Sequence, residues 1–198
     1  MYTIVQYIRH KFPFIWSIIY ATNSMIFHLR YKNKLKNIAS ILSEYDTDKI
    51  SYHLACIDDT PQLVKFFSMQ PDSAYLYFKP HNFDTVSVTK LIKNPAFIMI
   101  IAKVDSKVVG YAFLRCFANG NAYRGKIVDI DYRGKGIATV FGKQTTEIAS
   151  ALNLHLYGTI AKANIASMAS SKSSNDITVV AELPNKYLLV RYMPKQHK

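Results

Sequence analysis

The sequence predicts a layered α/β or α+β domain behind a helical leader, and three observations carry that prediction. Alternating apolar runs recur as paired strands early and late in the chain. A β-α-β passage lies between them, and residues 1–43 differ in composition from all that follows. Of the 198 residues 49% are apolar and 19% charged, which excludes a disordered chain. Seven glycines and seven prolines are too few for a fibrous repeat or a long linker. No internal period is present.

The leader comes first. FPFIWSIIYATNSMIF (12–27) is sixteen residues without a formal charge, short of the roughly 20 needed to span a bilayer. Pro13, Asn23 and Ser24 interrupt it, and no small-residue cleavage site precedes a polar mature start. Arg9, Lys11, Arg30, Lys32, Lys34 and Lys36 supply six of the net twelve positive charges, with no Asp or Glu through position 36. Tyr7, Trp16, Tyr20 and Tyr31 favour a headgroup region. An interfacial helix is expected, or two broken at Pro13, touching anionic lipid through residues 1–36. The competing expectation is a helix packed on the domain or on a second copy of the chain as a homodimer.

From Ser51 the pattern is that of a compact domain. SYHLACI (51–57) reads as a strand. DDTPQLVKFF (58–67) starts a helix: Asp59 or Thr60 is placed to cap it, and Pro61 suits its first turn. YLYFKPHNF (75–83) is an aromatic connection broken by proline, and DTVSVTKLIKN (84–94) is a short helix ending before Pro95. AFIMIIAKV (96–104) and SKVVGYAFLRCF (106–117) are β-rich runs meeting at Asp105–Ser106 as a hairpin does. NAYRGKIVDID (121–131) is a third run. Residues 136–152 are helical, with Ile137, Val140, Phe141, Thr145, Ile148 and Leu152 at helical spacing. LHLYGTI (154–160) is a strand and NIASMASSKSS (164–174) a short polar helix. ITVVAEL (177–183) and KYLLVRYM (186–193) close the domain as a strand pair. Cys56 and Cys116 both fall in apolar runs, so buried thiols in a reducing compartment are expected rather than a disulfide.

Phosphate-binding patterns concentrate between Gly120 and Ala138. A P-loop fits Gly120 to Lys126 in all but its last position, where Ile127 stands instead of a hydroxyl and a strand follows instead of a helix. A dinucleotide loop fits Gly134 and Gly136, but Thr139 replaces its third glycine and it falls late in the chain. The third pattern is physical. The glycines let the backbone turn sharply with its N–H groups free at a helix N-terminus, beside the charges of Arg133 and Lys135. That is a cradle for a diphosphate, and it needs no metal. His10, His28, His53, His155 and His197 have no metal-ligand spacing, so no metal is expected. Nothing marks a Ser-His-Asp triad.

Arg133-Gly-Lys-Gly136-Ile-Ala138 matches the arginine-x-x-glycine-x-alanine signature of the GCN5-related N-acetyltransferase (GNAT) superfamily. IVDIDYRGKGIATVFG (127–142) resembles that family's strand, loop and helix as a unit, with KVVGYAFLR resembling the strand before it. LHLYGTIAKANIASM resembles the strand and asparagine-led helix after it. The resemblance implies a mixed, mostly antiparallel sheet flanked by helices, over an acyltransferase domain at 44–198 that follows the leader at 1–43. It also implies acetyl-CoA, or another acyl-CoA, as co-substrate. The diphosphate would lie on Arg133, Gly134, Lys135, Gly136, Ile137 and Ala138, and the pantetheine arm along Val128, Asp129 and Ile130. Asn164 matches the asparagine that contacts that arm, and Ser167 lies one helical turn later. The family's helix commonly carries a tyrosine acid seven residues after the asparagine; here that residue is Ser171. Asn175 stands where glycine would end the helix, and asparagine tolerates a left-handed turn.

An amine attacks an acyl carbon only when neutral, so a base or a water chain must take its proton. The candidates are Asp129 and His81, with Tyr77, His81 and Asp84 as acceptor contacts. A strand N–H near Val128 would hold the oxyanion. The expected activity is transfer of an acetyl or short acyl group to a primary amine. A cytoplasmic location is expected, with the leader at the inner face of the membrane; this favours an amino sugar in surface polysaccharide assembly. A protein or peptide amine is the alternative acceptor. Ser171 keeps open a domain that binds acyl-CoA without turnover, as a sensor or interaction module. Nucleic acid is not expected, because only the leader mixes basic and stackable aromatic residues.

Overall fold

The computed structural model describes residues 13–195. Two leading helices, α1 (Pro13–Leu35) and α2 (Ile38–Ser43), precede strand β1 (Ser51–Leu54). Helices α3 (Thr60–Ser68) and α4 (Thr85–Ile92) follow, then strands β2 (Phe97–Val104), β3 (Lys107–Cys116) and β4 (Asn121–Val128). Helix α5 (Ile137–Ala151) leads to β5 (His155–Ala161), and α6 (Ile165–Ser174) to β6 (Asp176–Leu183) and β7 (Tyr187–Met193).

The seven strands form one sheet in the order β1-β2-β3-β4-β5-β7-β6. Every neighbouring pair is antiparallel except β4 with β5, which the α5 crossover makes parallel. The β2–β3 hairpin turns at Asp105, whose φ of 52° is left-handed, a conformation asparagine and aspartate tolerate better than most residues. Strand alternation divides the core. Ile98, Ile100 and Ala102 face a cluster that includes α1, α2 and α5, while Phe97, Met99 and Ile101 face a second cluster with α3 and α4. Both faces of β2 and β3 are therefore covered, which is why these runs read as continuously apolar.

The C-terminal half of α1 and all of α2 pack on the domain. Phe27, Tyr31, Ile38 and Leu42 are buried in the first cluster, each such side chain contributing about 1.5–3 kcal/mol of burial. Asn23 clasps the end of β3: its Nδ2 donates to Cys116 O at 3.1 Å, and its Oδ1 accepts from the Ala118 N–H at 2.9 Å. The opposite face of α1 exposes Ile18, Ile19, Met25, Ile26 and Leu29. No helix among the described residues is long and apolar enough to cross a membrane. Tyr7, Arg9, His10, Lys11 and His197 lie outside the described residues.

Two local expectations are corrected. The first strand ends at Leu54, and Cys56 is exposed at the start of a short helical turn; Cys116 alone is buried. Asn175 is not left-handed but extended, at φ −146° and ψ 157°, because its side chain is drawn inward to bond α5.

Candidate functional site

The sheet opens at one seam. β4 and β5 pair only over Asn121–Tyr123 with His155–Tyr157, and beyond that the two strands part. The Asp129 N–H goes to Val109 of β3, and the Phe117 N–H takes Asn121 O at the other end of the same ladder. Alternation therefore turns the backbone groups of Arg124, Lys126 and Val128 toward β5, and past the paired segment no strand meets them. The result is a cleft of about 770 Å³ lined by both strands, the loop before α5, and α6.

The loop is built as its sequence predicts. Gly134 and Gly136 have φ of 77° and 82°, and a Cβ at either would meet no atom, so backbone conformation alone selects glycine here. Among the described residues the N–H groups of Gly136, Ile137 and Ala138 have no protein acceptor. They stand at the N-terminus of the fifteen-residue α5, where the helix dipole favours an anion. Val128, Arg133, Gly134, Gly136, Ile137 and Ala138 all line the cleft. Arg133 reaches back so that its Nε lies 3.5 Å from Val128 O. Lys135 is exposed and sits over the Tyr132 ring at 4.3 Å, and Ile130 is exposed outside the lining. Across the gap Asn164 caps α6, its Oδ1 accepting from the Ser167 N–H at 3.0 Å, and both residues line the cleft.

The two expected bases sit elsewhere. Asp129 is buried and spends its carboxylate on structure: Oδ1 accepts from the Asp131 N–H at 3.0 Å, and Oδ2 pairs with Lys107 at 3.2 Å. His81 lies in the second core cluster's aromatic wall, edge-on to Phe67, Phe83, Phe97 and Tyr111. Its Nδ1 stands 2.7 Å from Asn82 O, so that nitrogen carries the proton; Nε2 then accepts from the Tyr111 hydroxyl at 2.9 Å. Burial pulls the His81 pKa below its ordinary value and favours the neutral ring. Asp84 caps α4, accepting from both the N–H and the hydroxyl of Ser87, and is outside the cleft. Tyr77 does line it, with Ser73, Phe78, Lys79 and Pro80.

What sequence reading missed is a pair of cations on one strand face, Arg124 buried and Lys126 partly so. Arg124 is 8% exposed, yet no carboxylate lies within ion-pair distance of it among the described residues. Its guanidinium donates to Gly142 O at 2.8 Å, to Thr145 and Thr146, and to Asn175 Oδ1 at 2.8 Å, and it stacks 3.4 Å from the Tyr192 ring centroid. Burial lowers its pKa to about 10, so it stays charged at neutral pH. Lys126 donates from Nζ to Ala138 O at 2.6 Å and to Ser170 Oγ at 2.8 Å. Burial first, and the neighbouring Arg124 second, bring its pKa from 10.5 down to about 7. A signal existed: Arg124 and Lys126 alternate with Ala122 and Val128 on one strand face, and those two residues are core.

No family model matches the sequence, and no curated protein matches it; the solved structures do. The GNAT domain of S. lividans PAT superposes with a TM-score of 0.64 at 13% identity, covering 76% of this chain and 93% of that one. This is the GNAT fold. The PaiA N-acetyltransferase of Thermoplasma acidophilum, solved in complex with coenzyme A, has a TM-score of 0.62 at 14% identity over 74% of this chain and 99% of its own. The ribosomal-protein-alanine N-acetyltransferase of Brucella melitensis has a TM-score of 0.55 at 22% identity, over 73% and 98%. The mixed, mostly antiparallel sheet expected of a GNAT domain is thus present, with its one parallel pair at the open seam.

Proposed function

We propose that the protein transfers an acetyl or short acyl group from acyl-CoA to a primary amine. The observation that carries this reading is the set of unpartnered N–H groups at Gly136, Ile137 and Ala138 beside Arg133, opening into the cleft. These donors suit a diphosphate, and the residues present fit coenzyme A without a metal. The GNAT fold, shared with a coenzyme A complex, supports the same reading.

In this reading the loop amides and Arg133 hold the diphosphate. The backbone groups of Lys126 and the Val128 N–H pair with the pantetheine amides as a missing strand would, with Asn164 and Ser167 bordering the arm from α6. Bound acyl-CoA supplies an activated thioester. An N–H on the open side of β4, at Lys126 or Val128, is placed to take up the charge that develops on the carbonyl oxygen. The acceptor enters past Ser73, Tyr77, Phe78 and Lys79. Among the described residues no Asp or Glu lines the cleft, which suits a neutral or anionic amine better than a polycation. An amino sugar meets that requirement, and a protein N-terminus is the other acceptor class to test. The apolar outer face of α1, beside exposed Arg30, Lys32, Lys34 and Lys36, supports a place at an anionic membrane surface.

A thermal shift with CoA and with acetyl-CoA tests the donor site. Ligand at about 100 times its Kd adds about 2.7 kcal/mol of stability, and Gly136→Asp, strained and negatively charged at φ 82°, should abolish that gain. No shift in intact protein would remove the acyl-CoA reading. A shift with no turnover on any amine would favour the second reading, an acyl-CoA-binding domain without catalysis. That reading is kept open by Ser171, a buried serine on the cleft wall of α6.

A further inference from the structure

Resting on the acyl-transfer reading, we propose that Lys126 is the acid of the reaction, its ammonium giving a proton to the CoA thiolate as the thioester breaks. Three observations place it there. The side chain lines the cleft, and its Nζ bridges α5 and α6 through Ala138 O and Ser170 Oγ, which fixes the ammonium between the two walls. Those acceptors satisfy two of its three N–H donors and leave one. Both are neutral, and no carboxylate is within ion-pair distance among the described residues.

The surroundings make the proton easy to give. On its own strand the charged neighbour is Arg124, a like charge. From the elements around the cleft, α5 presents Ala138 and Thr139, α6 presents Ser170 and Ser171, and β7 presents Tyr192. A largely buried ammonium with a cation beside it and no counter-ion gains when an anion arrives. A departing thiolate is such an anion, and its ordinary thiol pKa of roughly 8.5 lies above the value of about 7 that this lysine has. Proton transfer from nitrogen to sulfur is then favourable. Arg124 holds its proton too tightly for the same task.

The step balances without another reactant. The acceptor nitrogen bonds to the acyl carbon, the C–S bond breaks and its electron pair stays on sulfur. One N–H bond of Lys126 breaks as an S–H bond forms. The acceptor nitrogen sheds one proton in becoming an amide, and that proton, passed through solvent, restores the ammonium.

The test compares CoA with desulfo-CoA, which lacks the sulfur, on the full chain by calorimetry, beside steady-state kinetics over a range of pH. The intact protein should prefer CoA by about tenfold at and below neutral pH, where the Lys126 ammonium donates to the sulfur. It should lose that preference as pH rises through about 7 and the ammonium gives up its proton. Lys126→Met should erase that preference, still bind desulfo-CoA through the residue's backbone, and lower kcat by about 10²-fold or more. Lys126→Arg keeps the charge but not the transferable proton, so it should keep the preference and still lose kcat. It also serves if the methionine variant does not fold. A preference for CoA that survives Lys126→Met, or no preference in the intact protein, overturns the assignment while leaving acyl-CoA binding in place. If neither CoA nor desulfo-CoA binds, the acyl-transfer reading itself falls and takes this assignment with it.

Discussion

His81 and Lys126 are both largely buried, both titratable and both pushed toward their neutral forms by burial, yet the regions around them are opposites. His81 belongs to a finished wall: aromatic rings surround it, and each ring nitrogen has one partner of the correct kind. Lys126 belongs to an unfinished seam, where two strands part and the charge has neutral acceptors but no counter-ion. A histidine attracts notice in a sequence because its ordinary pKa is near neutrality. Burial can bring a lysine to the same range, and here it does so in the place that has room for a ligand.

The largest effect should come from Arg124→Ala. It removes the guanidinium's bonds to Gly142 O, Thr145, Thr146 and Asn175 Oδ1, empties a buried site and strips the stack on Tyr192, so a loss of about 3 kcal/mol or more is expected in denaturant unfolding. A loss below about 1 kcal/mol would mean that water satisfies those groups and the seam is wetter than its geometry suggests.

Lys126→Met should act in the opposite direction, stabilising the protein by about 1–3 kcal/mol near neutral pH by removing an unpaired buried charge. Its pH dependence has a definite sign. The folded pKa of about 7 is below the unfolded value near 10.4, so between them the unfolded chain holds more protons and stability rises with pH. The melting temperature of the parent protein should climb relative to the variant from about pH 7 toward 10. A constant difference across that range would show a lysine that titrates normally.

The smallest effect sharpens the contrast from the other side. His81→Phe keeps the aromatic packing but takes the acceptor from Tyr111, costing about 1–2 kcal/mol. The His81 pKa lies below 6.5 in the folded state, so its contribution is full above the unfolded value and is lost as pH falls through that range. The variant should lose that acid-side slope. Its kcat should keep the parent's pH profile; a vanished acid limb would restore His81 as a base.

Much of this was legible in the residues. The strand–loop–helix at 127–142 could be read because backbone requirements are local: glycine where φ is positive, N–H groups left free at a helix start, a cation alongside. The β2–β3 hairpin could be read for the same reason, whereas Asp84, expected to contact the acceptor, instead caps α4. The leader was half legible. Its apolar residues showed that something covers them, but two faces of one helix found different answers, Phe27 in the core and Leu29 in solvent. Asn175 was read as a turn residue, whereas a long-range bond to Thr146 draws it into extended backbone.

By itself the sequence determined the order of the elements, the glycine turn that opens α5 and the charge of each side chain, because these depend on neighbours along the chain. Only the tertiary structure decided which charges are buried. Arg124 and Lys126 would be ordinary solvated cations on an edge strand. They become an enclosed pair because α5 and α6 close over one face of β4 just where β5 turns away, and enclosure without a counter-ion is a property of that arrangement.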